Sequence, residues 1–161
     1  MLGSDFDIVL GIAPVNLSTG ANTGARHHMG DAEAVVVLFV GGAGAASEPP
    51  VLTLKQHTAV TAGATADLAV VTEFWTKSEA TLDNDELWVR ATQAAGAVVT
   101  GTAAVQQLIA FRVRTDSLTA GPYMSVNVAA PGVGAQLGTV LYIPVGLDVR
   151  STPVSMRAGL R

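Results

Sequence analysis

The residues best equipped for acid–base or metal chemistry are three histidines, the adjacent pair His27-His28 and the isolated His57. Imidazole titrates near neutral pH and is a common zinc ligand. Neighbouring residues of a strand point to opposite faces, so His27 and His28 cannot chelate one ion together. His57 has no companion ligands at zinc-site spacing. All three read as solvent-facing strand residues. The nearest approach to a cation motif is Asp83-Asn84-Asp85-Glu86. Alternating carboxylates bind Ca²⁺, but the EF-hand pattern with its glycine and distal glutamate is missing. Asp and Asn also favour turns through local hydrogen bonds. Asp83, Asp85 and Glu86 are therefore weak metal candidates, read first as turn chemistry, and no cofactor is expected. The segment GGAGAAS at 41–47 lacks the Lys-Ser/Thr ending and the glycine spacing of a phosphate loop. No G-x-S-x-G elbow occurs. Asp67, Glu73, Glu79 and Asp116 each read as solvated carboxylates. No catalytic constellation emerges, and an enzyme is not expected.

Short strands would have to position any of these groups. Both tryptophans flank the acidic turn: Phe74–Ser78 and Leu87–Thr92 are β-branched or aromatic runs, and an antiparallel hairpin is the simplest reading. A buried Trp covers roughly 200 Å² of apolar surface, so Trp75 and Trp88 are expected in the core with Phe111. Ala34–Val40 (AVVVLFV) is continuously apolar, the signature of a strand buried on both faces. Val51–His57, Val105–Arg114 and Tyr123–Ala129 alternate, and Gly138–Val145 is a strand ended or edged by Pro144. Asp7–Ile12 and Arg26–Met29 are further short strands. Thr61–Val71 reads as a helical turn or loop, Ala94–Ala104 as a small-residue loop, and Asp116–Gly121 as a single turn. About eight strands separated by Gly/Pro/Ser/Asn loops predict an all-β two-sheet sandwich or jelly-roll-like domain. Residues 1–15 form an N-terminal arm or first strand, 16–147 the sandwich, and 148–161 an extended tail.

Composition narrows the function classes. A chain of 161 residues is one domain, with or without an arm. Only 14% of its residues are charged, against about 25% in ordinary soluble domains. Such a surface is either covered in the working state or reflects a genome biased toward Ala, Gly and Val codons. The net charge of −4 and the absence of a Lys/Arg cluster argue against direct nucleic-acid contact. Without cysteine there is no disulfide framework and no thiolate metal site. The start MLGSDFDIVLGIAPVNLS carries two Asp before a short apolar run, unlike a signal peptide, and no apolar run approaches the ~20 residues of a membrane span. A soluble product outside the standard export route is expected. The arm can add a strand to a neighbour's sheet edge, which makes Phe6, Ile8, Leu10 and Ile12 candidate partner contacts, with Arg157 and Arg161 of the tail.

In order and spacing, GIAPVNLSTGANTG, VLTLKQHT, FWTKSEATL followed by WVRATQ, SVNVAA and QLGTVLYIPVGLDVR resemble small virion structural proteins of tailed bacteriophages. The likeness runs through residues 7–150. It implies a non-enzymatic product made in the host bacterial cytoplasm and built into the virion. Within that class the favoured reading is a capsid decoration or minor capsid protein. It would sit as a homo-oligomer, trimer or dimer, on the shell of major capsid protein. The competing readings are a tail-tube or head–tail joining protein of the same virion and a β-sandwich glycan-binding module.

Overall fold

The computed structural model describes residues 5–83 and 85–147. Among these, eleven strands occur: β1 (Val9–Asn16), β2 (His27–His28), β3 (Ala32–Gly41), β4 (Val51–His57), β5 (Thr65–Asp67), β6 (Val71–Glu79), β7 (Val89–Gly96), β8 (Val98–Thr100), β9 (Gln106–Arg114), β10 (Tyr123–Ala129) and β11 (Leu137–Leu147). Short 3₁₀ turns at Leu17–Thr19 and Thr115–Ser117 are the helical elements. The first sheet has six strands in the order β1-β11-β3-β9-β6-β7. The second has the order β2-β10-β4-β5, with β8 also on β4. All pairings are antiparallel. The all-β two-sheet sandwich is therefore the architecture, with more strands than the sequence predicted. Ala94–Ala104, expected as loop, carries the end of β7 and all of β8. Thr65–Asp67 is a strand in place of a helical turn or loop.

Alternation explains which side chains meet between the sheets. Val35, Val37 and Phe39 of β3, Ile109, Phe111 and Val113 of β9, and Val140 and Tyr142 of β11 supply one inner face. Leu52 and Leu54 of β4 and Met124, Val126 and Val128 of β10 supply the other. Fully burying one such aliphatic side chain contributes about 1.5–3 kcal/mol. Phe111 takes the expected core position.

Tyr142 joins the two layers. Its hydroxyl accepts a 2.8 Å hydrogen bond from the Val126 N–H of the opposite sheet. Burial pushes the phenol's pKa above its ordinary value. The ring fits because two neighbouring positions lack side chains. A Cβ on Gly11 would lie 2.5 Å from the Tyr142 ring, and one on Gly24 2.2 Å from the Val126 carbonyl oxygen. Glycine is needed at both for this close approach.

Two expectations are corrected. Trp75 and Trp88 are 41% and 42% exposed, so neither is a core residue. The hairpin itself is real, since β6 pairs with β7 through Trp75↔Arg90. On β6, however, Thr76 lies opposite the buried Ile109 and Phe74 packs against the core, which sends Trp75 to the outer face. A one-residue change of parity exchanges faces completely, and aromatic size does not reveal parity. The second correction concerns Ile12. Of the two readings of the N-terminal stretch, arm or first strand, residues 9–16 take the second: they pair antiparallel with β11 as the domain's own edge strand, and Ile12 is buried in the core instead of available to a partner.

Tyr142→Phe keeps the ring and removes the acceptor, leaving a buried N–H unpaired. Chemical denaturation should show a loss of about 1–3 kcal/mol, with an unchanged far-UV spectrum. A loss within experimental error would mean the inter-sheet bond contributes nothing net.

Candidate functional site

The largest feature not used by the fold is the outer face of the six-stranded sheet. Register builds it row by row. One row crosses all six strands: Leu10, Leu141, Leu38, Ala110, Trp75 and Arg90. The row beside it contains Ile143, Val36 and Arg112, and the pairing of Val9 with Tyr142 places Ile8 opposite Ile143. On the other side lie Thr139, Val40, Leu108 and Lys77. Phe6 bridges Val145 at the strand ends. Solvent-facing strands of an antiparallel sheet ordinarily alternate apolar with polar. Here the centre of the solvent side is aliphatic.

The expected contact residues divide accordingly. Ile8 and Leu10 stand 53% and 54% exposed on this face, and half-buried Phe6 adjoins it. Ile12 points inward. Arg157 and Arg161 lie outside the described residues. Sequence reasoning missed Trp75, Leu38, Leu141 and Ile143 as surface. The available signal was the unbroken apolar run of β3, which already marked both of its faces.

Charge flanks the aliphatic centre, and each arginine there is paired with an acid. Arg112 Nη2 donates to Glu33 at 2.7 Å, Arg114 Nη2 to Asp116 at 2.8 Å and Arg90 Nε to Glu73 at 2.9 Å. The Arg114 guanidinium holds the Asp116 carboxyl below its usual range. The Lys77 ammonium sits 5.5 Å from the centroid of the Trp88 ring, a cation–π distance. Within this frame a groove of ≈ 420 Å³ is lined by Val36, Trp75, Ala110 and Arg112, with Glu73 and Ser117 at its side.

The polar candidates resolve differently. Carboxylate oxygens of Glu79, Asp85 and Glu86 approach within 4.8 Å of one another. Asp83 is outside that group; its N–H donates to Glu86 Oε1 at 2.7 Å. Asp83 and Glu86 are thus joined by a local bond, and three clustered surface carboxylates do not by themselves make a cation site.

The histidines overturn their expected exposure, since His27 and His57 are buried. His57 lies 2.9 Å through Nδ1 from Thr65 Oγ1 and 2.8 Å through Nε2 from Ser125 Oγ. A hydroxyl on each nitrogen can match a neutral imidazole, one donating and one accepting. Ser125 is fully buried in mid-strand, so this Ser-His pair has no route to a substrate and serves packing. Burial, then Arg26 and Lys55, depress the pKa of His57. His27 lies 5.9 Å from the Tyr142 ring, and its Nδ1 has no hydrogen-bond partner. Burial and His28 lower its pKa to about 4, against weaker opposite pulls from Asp7 and Asp31.

No protein-family model matches the chain, and no curated protein matches it.

The two buried imidazoles predict acid lability. Unfolding lets each take up a proton near its ordinary pKa of 6.5, whereas the folded chain keeps His27 neutral down to about 4. Stability is therefore complete above pH 6.5 and falls as pH drops toward 4, by on the order of 3 kcal/mol for His27 alone. Urea unfolding at stepped pH should show this decline, and a smaller one in His27→Gln. Equal slopes in the two proteins would remove His27 as the cause.

Proposed function

We propose that this protein is a non-enzymatic structural component of a tailed-phage virion, a capsid decoration or minor capsid protein that binds and stabilises the major capsid shell. One observation carries the reading: the central strands are apolar on both faces, while the monomer covers only one. β3 runs AVVVLF without a polar residue, and its outward Val36, Leu38 and Val40 lie beside Leu141 and Ile143. A face of this kind is a surface that assembly covers. Low overall charge supports the same role, because burying unpaired charge is costly. The likeness of the strand and turn segments to virion structural proteins supplies the virion context. In that role the protein acts by adding buried area across neighbouring capsid subunits, with contacts of about 800 Å² per partner repeated over many copies. Major capsid protein and further copies of this chain are the partners, the capsid surface is its location, and no cofactor takes part.

A second reading, a glycan-binding module, is favoured by the exposed Trp75 at the wall of the groove, where an aromatic face and the flanking Arg112 and Glu73 can meet a sugar ring.

The test is sedimentation of purified protein with empty shells of the virion's major capsid protein. Co-sedimentation at a fixed stoichiometry is expected. Rings or tubes that ignore the shells would transfer the protein to the tail tube or head–tail joint. Failure in both, together with glycan binding that Trp75→Ala weakens at least tenfold, would install the second reading.

A further inference from the structure

We infer that the outer face of the six-stranded sheet is covered by the same face of a second copy of this chain, packed sheet on sheet about a two-fold axis. The inference rests on the reading that this face is covered in the working protein, and it names the occupant.

Area is the first argument. Strands about 4.8 Å apart, with same-face residues about 6.8 Å apart, give the three rows from β1 to β6 roughly 500 Å². Two such faces together bury about 1,000 Å², the threshold of a specific interface. A smaller partner segment would leave part of the aliphatic centre in water, whereas a second sheet of equal width covers it.

Charge is the second. Each flanking arginine is already satisfied by an acid of its own chain: Arg112 by Glu33, Arg114 by Asp116, and Arg90 by Glu73. With its arginines paired and Lys77 drawn over the Trp88 ring, the aliphatic centre carries no charge of its own and calls for a partner that is itself uncharged there. This chain's own face meets that requirement. In an isologous contact the aliphatic rows around Leu38 and Leu141 meet their equivalents, with the internally satisfied ion pairs flanking them. Antiparallel sheets bury such faces by packing about 10 Å apart at roughly −30°. The groove beside Trp75 would then receive side chains from the facing sheet.

The chain has no cysteine, so mass and association can be read without disulfide artefacts. Light scattering of the full chain should give twice the 16.4 kDa chain mass. Leu38→Lys, in the middle of the face, should halve that mass with unchanged far-UV circular dichroism. Leu10→Lys, on the exposed edge strand, is the second variant in case Leu38→Lys fails to fold, and should weaken association at least tenfold. Thr53→Lys, on the outer face of the other sheet, should leave the dimer intact. A monomeric wild type, or an oligomer whose mass survives both leucine substitutions, would overturn the inference. A monomer that still binds shells would sink the dimer alone; a face-dependent dimer that ignores them would sink only the decoration role.

Discussion

The hydrogen bond from Val126 N–H to the Tyr142 hydroxyl is the constraint on which the rest of the sandwich depends. Two sheets held only by apolar contact can slide, because burial has no direction. A buried amide paired across the layers helps fix their offset, since losing its acceptor costs the desolvation of the amide. That offset places Tyr142 against Gly11 of β1 and against Gly24, so the edge strand and the loop before β2 are shaped around one ring. The buried His27 lies against the same ring. The layer contact and the close approach of the edge strand thus centre on one tyrosine on β11.

The two faces of the six-stranded sheet are opposite solutions to the same composition. The inner face joins Val, Ile and Phe to the second sheet and closes. The outer face uses nearly the same residue types and remains open, with its arginines paired to acids beside the aliphatic centre. A soluble domain that needed this surface only for water would have Thr, Lys or Glu where Val36, Leu38 and Ile143 stand. The proposed assembly role gives those residues a reason.

Much of the fold was legible because period-two alternation is a local property. β4, β9 and β10 follow from Val51–His57, Val105–Arg114 and Tyr123–Ala129 almost residue for residue. The hairpin pairing of β6 with β7 was legible too. Its facing was not: Trp75 is turned outward by its opposition to Ala110 of β9, a strand thirty-odd residues away, as roughly counted along the chain. The histidines were misread for a related reason. Alternation places His57 on the outer side of β4, but only the tertiary structure brings Thr65 and Ser125 over it. Of the candidate site, Ile8 and Leu10 were anticipated as contacts of a free arm. They belong to a paired edge strand, and the surface they serve extends across the sheet. The unbroken apolar run of β3 pointed to that surface directly.

The strand order carries a consequence for synthesis. β11, the last strand along the described chain, lies between β1 and β3, so the first sheet lacks an interior member until residues 137–147 have left the ribosome. Before that, β1 has no partner and β3 presents an open edge as well as its apolar faces. Such long-range pairing folds slowly and leaves aggregation-prone edges exposed. The nascent chain cannot build this domain progressively from its amino end. The first sheet closes late, when residues 137–147 insert between β1 and β3.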